Sequence, residues 1–153
     1  LPRKLQDDLI DAAYHYARQL KLNRFNGIVN IKVPRKKGYI DGAVGGYCSA
    51  DRFDHDDGNK YWQVDIDLAN VTKVEMIKNL AHEMVHAKQF ARGELYESSR
   101  TNKHRWQGRW LSKEPGYWDQ PWEIEAHGRE CGLFIQWAQA NKLGKRKWTH
   151  DKV

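Results

Sequence analysis

The sequence predicts an α+β fold: an N-terminal helix, a small mixed or antiparallel sheet, a helix carrying two histidines, and a C-terminal helix rich in glutamate. Three observations lead there. Apolar residues recur at helical spacing near the start of the chain and in two later stretches. The segments between them alternate apolar and polar residues. At 153 residues the chain is long enough to bury one sizeable core, as a single domain spanning 1–153 with a basic tail from about 142.

Residues 2–22 form the first element. Leu5, Leu9, Ala12, Ala13, Tyr16, Ala17 and Leu20 fall on one helical face, Pro2 suits a first turn, and "NRFNG" ends the run. Three strand candidates follow. "GIVNIKVP" alternates; "GGYCSADRF" opens on two glycines and alternates less clearly; "KYWQVDIDLA" sets Trp62, Val64, Ile66 and Leu68 on one face. Between the last two, "DHDDGN" is a turn, because Asp and Gly supply the backbone freedom. Residues 71–92 form the central helix, stopped by Gly93. "NKHRWQGRWL" reads as a short strand or hairpin arm and "SKEPGYWDQP" as a loop. Pro121 then opens a last helix over roughly 122–141.

Composition narrows the function. The chain is 40% hydrophobic and 30% charged, which reads as globular rather than disordered. No stretch approaches the roughly 18 apolar residues of a membrane span, so no membrane partner and a cytoplasmic location are expected. Cys48 and Cys131 are far apart, fit a reducing compartment, and read as small buried side chains. The formal net charge is +6. It sits largely in "PRKKG" and "NKLGKRKWTH" and reads as solubility plus a basic tail, with nucleic acid not favoured as a partner. A monomer is expected.

The chemistry is carried by "AHEMVHAKQF". Positions i and i+4 share a helical face, so His82 and His86 project together, about 40° apart around the axis. Glu83 stands beside them, about 100° round. Ile77, Leu80, Ala81, Met84 and Val85 lie on the other side. Two imidazoles on one face can bind one Zn²⁺, and a third ligand with an open position would let that ion activate water, with Glu83 as general base.

Candidates for the third ligand are His104, Glu123, Glu125 and His127. On the last helix Glu123, His127 and Glu130 share a stripe with Phe134, while Glu125 points about 200° away, toward water. A carboxylate on an apolar stripe is costly unless it is paired or binds metal. Glu123 is therefore the expected ligand, with His127 and Glu130 as the groups that orient the ligands. The cluster Trp106, Trp110, Trp118 and Trp122 reads as packing rather than a cleft lining.

"HEMVH" followed by "PWEIEAHGRE" resembles the gluzincin class of zinc peptidases, which use HExxH and a glutamate on a later helix. His127 stands where that family often has Asp. With "WQG" added, the pattern is similar to small single-domain peptidases of tailed bacteriophages, over roughly residues 25–140. The resemblance implies a zinc metallopeptidase acting on a peptide or protein substrate, in the host cytoplasm if phage-encoded. It implies a glutamate base, Glu83, and an oxyanion donor, with Tyr117 first choice and Tyr96 and His104 behind it. It also implies an extended substrate paired to an edge strand, for which "YWQVDIDLA" is the natural choice. Three rivals compete with this reading, the weakest of them a nucleic-acid binder that uses the basic tail and the tryptophans. A SprT-like protease acting on DNA-bound proteins would use His104, in "HRWQG", as third ligand. A non-catalytic phage protein would keep zinc only for stability, in a site closed by four protein ligands.

Overall fold

Seventeen residues from Arg3 to Gln19 form α1. Pro2 precedes the first helical residue rather than filling it, and the helix ends three residues earlier than the apolar periodicity suggests, giving way to a short 3-10 turn at Leu22–Arg24. Leu9, Ala12, Tyr16 and Leu20 are its buried face. The structure is a computed structural model that describes residues 1–150; the last three residues of the basic tail lie outside the described residues.

Three strands follow: β1 (Gly27–Lys32), β2 (Gly46–Asp54) and β3 (Lys60–Leu68). Their order in the sheet is β1-β3-β2. β3 runs parallel to β1 and antiparallel to β2, so the sheet is mixed. The β2–β3 turn closes through His55 and Asn59, whose backbones bond at 2.8 Å, with Gly58 at φ +83°. Val64, Ile66 and Leu68 alternate into the core. Burial on that face fixes the register, because a one-residue slip would turn all three outward.

The central helix α2 spans Lys73–Ala91. Thr72 caps it: its hydroxyl accepts from the Glu75 amide at 3.4 Å and donates to the Glu75 carboxylate at 2.8 Å. This reciprocal pairing satisfies one of the first helical N–H groups. At the far end Gly93 takes a left-handed backbone, φ +70°, where a side chain would be strained. Met76, Ile77, Leu80, Met84 and Val85 are fully buried, each contributing roughly 1.5–3 kcal/mol. The histidine side of α2 is buried as well, because β2 and the last helix cover it. The division into one core face and one open face is thus replaced by a helix enclosed on most sides.

β4 (Leu95–Glu97), β5 (His104–Trp106) and β6 (Arg109–Trp110) form a second, antiparallel sheet. β4 was not anticipated; three residues are too few to show periodicity. β5 and β6 are a hairpin whose two turn residues, Gln107 and Gly108, both have positive φ, at 48° and 82°. That geometry matches the right-handed twist of the strands. After a short 3-10 turn at Tyr117–Asp119, α3 runs from Pro121 to Ala140. It packs along α2, burying Trp122, Ala126, Leu133, Phe134, Trp137 and Ala138. Cys131 on this helix is exposed and Cys48 half-buried, so the expectation of two buried cysteines does not hold. Both are unbonded thiols.

The architecture is therefore α+β, with α2 sandwiched between the mixed sheet, α1 and α3. No helix among the described residues is long and apolar enough to cross a membrane.

Candidate metal centre

α2 carries His82 and His86 one turn apart, and α3 brings Glu123 across to face them. His82 Nε2 lies 3.1 Å from Glu123 Oε2, and His86 Nε2 lies 3.1 Å from Glu123 Oε1. The two Nε2 atoms are 3.2 Å apart. Three donor atoms around an ion with bonds of about 2.0–2.1 Å in a tetrahedron are separated by roughly 3.3 Å. The two nitrogens already stand near that separation from each other, and each stands near it from one Glu123 oxygen. Two nitrogens and a carboxylate, all deprotonatable and converging on one point, are a donor set suited to Zn²⁺.

The other nitrogen of each imidazole is also held. His82 Nδ1–H donates to Glu130 Oε2 at 2.8 Å. His86 Nδ1–H donates to Gln89 Oε1 at 2.8 Å. Each contact fixes a tautomer that leaves the Nε2 lone pair free for metal. Glu130 thus holds the His82 ring in place. His82, His127 and Glu130 also come within ligand distance of one another. Because Glu130 already takes the His82 Nδ1 proton, this second group is better described as support for the first.

His127 borders the site. Its ring centroid is 4.5 Å from that of His82, and its Nε2 is 2.9 Å from the Tyr117 hydroxyl. Tyr117 donates to Glu123 Oε2 at 2.9 Å. The loop before α3 therefore reaches the centre, and Trp118 folds over it, its ring centroid 5.0 Å from that of His127. Trp118 lines the cleft and is 71% exposed, and Trp122 also contributes to the cleft wall, so these two depart from the pure packing role expected of the cluster. Trp122 is buried, against Trp106 and His104; Trp110 lies exposed against Tyr96.

Glu83 is 5% exposed at the floor of the cleft. Burial pushes its carboxyl up to about 6, against the opposing pull of His86 and His82. That value suits a base working near neutrality. Across from it, β2 comes unusually close. A Cβ built on Gly46 would stand 3.1 Å from Glu83 Oε1 and 3.0 Å from the Asp67 carbonyl. A Cβ on Gly45 would meet the Asn79 side chain at 2.7 Å. The glycine pair that blurred this strand in the sequence lets the backbone pass over the glutamate.

Electrostatics tighten the centre. Burial works against charge on His82, but hydrogen bonds to Glu123 and Glu130 prevail and raise it to about 10. His86 is raised likewise, burial being outweighed by Glu123 and Glu83. Glu123 is held well below the usual carboxylate range, the two histidines overcoming its burial. Without metal, protons shared among these groups hold the cluster together.

Two expectations need correction. Glu125 does not face water. Its Oε2 accepts from Lys88 Nζ at 2.8 Å and its Oε1 from Gln89 Nε2 at 2.8 Å. α3 lies flat enough on α2 for its second stripe to be covered, which a helical wheel drawn without a neighbour cannot show. Second, β3 is the middle strand of its sheet, bonded on both sides, and cannot accept a further strand. The edge beside Glu83 belongs to β2. His104 lines the cleft wall, stacked on Trp122 with ring centroids 4.7 Å apart and its Nδ1 3.0 Å from Glu114. Among the described residues it joins neither group of metal-ready side chains. Tyr96 packs with Trp110 and Arg105, outside the cleft lining.

Gln89 is a functional residue that helical patterning did not single out. It is fully buried and also donates to the Trp122 carbonyl at 2.9 Å. Its position three residues after His86 was the available signal, since i and i+3 share a helical face.

No family model matches this chain, and comparison with curated proteins and with solved structures found no match either.

Proposed function

We propose that this protein is a zinc-dependent metallopeptidase of the gluzincin kind, with a zincin-like arrangement of helices around the cleft. The observation that carries the reading is the convergence of His82 Nε2 and His86 Nε2, 3.2 Å apart, on the Glu123 carboxylate, each 3.1 Å from a different one of its oxygens, set beside a buried Glu83. His82, His86 and Glu123 would hold the Zn²⁺. When bound, such an ion supplies a Lewis acid that polarises a carbonyl and makes a neighbouring water acidic.

The remaining work falls to the chain itself. Glu83 takes the proton of the attacking water and delivers it to the departing amine. Among the described residues its carboxylate has no hydrogen-bond partner of its own, which leaves both oxygens available. Tyr117, at the rim, can turn its hydroxyl from Glu123 to the substrate's carbonyl oxygen as negative charge develops there. The free edge of β2 beside Glu83 can pair with an extended peptide. The cleft has a volume of about 600 Å³ and admits a short stretch of chain.

A SprT-like ligand set would need His104 at the metal, and its bond to Glu114 and stacking on Trp122 hold it elsewhere. A closed structural site would need a fourth protein ligand and gives no reason for a carboxylate buried beside the pair.

The deciding experiment is metal content of purified wild type, Glu123→Ala and His104→Ala after zinc loading and gel filtration. The expected result is one zinc per chain in wild type and His104→Ala, and none in Glu123→Ala. Zinc lost from His104→Ala and kept in Glu123→Ala would overturn the ligand set. Zinc absent from all three would remove the metallopeptidase reading.

A further inference from the structure

The two basic runs of the sequence, more than a hundred residues apart, are both tied to the start of α2. The first is Arg35, Lys36 and Lys37, in the connection between β1 and β2. It is anchored beside the start of α2: Asn70 Nδ2 donates to the Pro34 carbonyl at 3.0 Å, and the Gly38 amide donates to the Asn70 carbonyl at 2.8 Å. The second is Lys142, Lys145, Arg146 and Lys147, after α3. It is not a loose tail. The Leu143 amide bonds the Ala138 carbonyl at 2.8 Å, and Trp148 lies against Trp137, with Lys73 Nζ 4.0 Å from its ring centre. The anchors, Asn70 and Lys73, are three residues apart and so within roughly 10 Å. All seven basic side chains of the two runs are exposed.

These seven account for the whole charge excess. Of 26 basic residues, 26 less 7 leaves 19, against 20 acidic. Of the acidic neighbours on this end of the molecule, Asp8 lies between Lys4 and Lys73, the Glu75 carboxylate accepts from Tyr39 and Thr72, and Asp11 accepts from Trp137, while Asp41 is exposed. The excess is thus carried by two separate segments anchored at the same end of α2, which a merely solubilising tail would not require.

We propose that this face binds the phosphate backbone of nucleic acid, without sequence preference. Several lysines and arginines fixed along one surface can follow consecutive phosphates and gain affinity by releasing counterions. An anionic membrane fits less well. Surface-binding segments of that kind insert apolar side chains, whereas here Trp148 is turned inward onto Trp137 and Lys73. The face begins at the N-terminal end of α2, and His82 lies nine residues further along that helix, about 14 Å by helical rise. Binding there should be independent of metal.

The test is fluorescence anisotropy with a labelled 20-base-pair duplex and a 20-nucleotide single strand, in EDTA, from 50 to 200 mM NaCl. Three double variants are compared with wild type: Lys36→Glu with Lys37→Glu, Arg146→Glu with Lys147→Glu, and, as control, Arg100→Glu with Lys103→Glu. The control pair is also exposed but sits in the β4–β5 connection, which follows the opposite end of α2, a helix about 28 Å long. Wild type should bind both probes. Each of the first two variants should weaken binding about tenfold or more and flatten the salt slope by about 2, one unit for each phosphate that is no longer neutralised; the control should stay within about twofold. No binding at 50 mM NaCl overturns the proposal. So does equal weakening by the control, or binding to phosphatidylserine vesicles with none to nucleic acid. Because the assay runs without metal, failure of the metallopeptidase reading leaves its outcome intact.

Discussion

Gln89 holds His86. The His86 Nδ1–H donates to Gln89 Oε1 at 2.8 Å, while Gln89 Nε2 donates to both the Trp122 carbonyl and Glu125. The amide therefore cannot flip without losing two bonds, and His86 is left with its Nε2 toward Glu123. Glu125 is in turn held by Lys88, which also reaches Glu94 at 2.8 Å. A buried polar chain thus runs from the ligand on α2 through α3 to the start of the second sheet.

The two halves of that chain should separate by experiment. Gln89→Leu frees the His86 ring and should lower zinc affinity about 10–100-fold. Lys88→Met removes the cation shared by Glu94 and Glu125, leaving Glu125 with Gln89 and Arg129, and should cost about 1–3 kcal/mol of stability, yet change the zinc affinity of the folded protein less than about threefold. Competition against a chromophoric chelator gives the affinities, and urea unfolding gives the stabilities. If both substitutions shift affinity alike, Gln89 acts only through stability.

The positions of the helices, of the histidine pair and of Glu123 were legible because each rests on helical period alone. The periodicity of α2 and α3 placed His82, His86, Glu123 and Glu130 on the right faces before any neighbour was known. What failed depended on a neighbour. Glu125 was assigned to water because nothing in its own helix announces Lys88 and Gln89 opposite. β3 was taken as an edge because strand order is not written in alternation, and its strong pattern in fact marks the middle strand. The shared anchoring of the basic runs was equally invisible, since it depends on Asn70 and Lys73.

Glu83 carries a cost that its removal should reveal. Its folded value of about 6 exceeds the ordinary 4.5, so the ionised form is less favourable folded than unfolded. The difference, about 1.5 units, amounts to roughly 2 kcal/mol. It is absent below about pH 4, where the carboxyl is neutral in both states, and complete above about pH 6. Glu83→Gln should therefore raise the melting temperature of the metal-free protein by roughly 4–8 °C at pH 8 and hardly change it at pH 4. The same variant should keep zinc and lose peptide hydrolysis. Equal melting at pH 8 would mean that the carboxylate is not buried at a cost.

Metal binding should expel a proton. His82 is raised to about 10 in the metal-free protein, so at pH 7.5 its ring is charged, and Zn²⁺ must displace that proton. Calorimetric titration in buffers of different ionisation heat should show at least one proton released per zinc at pH 7.5, falling as pH approaches 10. The metal-free protein should behave in the complementary way. A raised histidine contributes stability that is complete below about 6.5 and lost as pH rises through 10. Heats independent of the buffer would show that His82 is neutral before zinc arrives.

The contact between Gly46 and Glu83 can be isolated by a double-mutant cycle. A methyl group at position 46 would stand 3.1 Å from both Cγ and Oε1 of Glu83, and 3.0 Å from the Asp67 carbonyl on the neighbouring strand. The carbonyl belongs to the sheet and cannot move far; the glutamate side chain can. Gly46→Ala should therefore destabilise by about 1–3 kcal/mol, as overpacking does, and displace the carboxylate from the cleft floor. Zinc should stay bound, because His82, His86 and Glu123 are untouched, while hydrolysis of a peptide substrate falls. In a Glu83→Ala background the methyl group has room, so part of the Gly46→Ala penalty should vanish, leaving a coupling of about 0.5–3 kcal/mol. An unchanged penalty would place the whole strain on the Asp67 carbonyl, and Gly46 would then serve the β2–β3 pairing rather than the base.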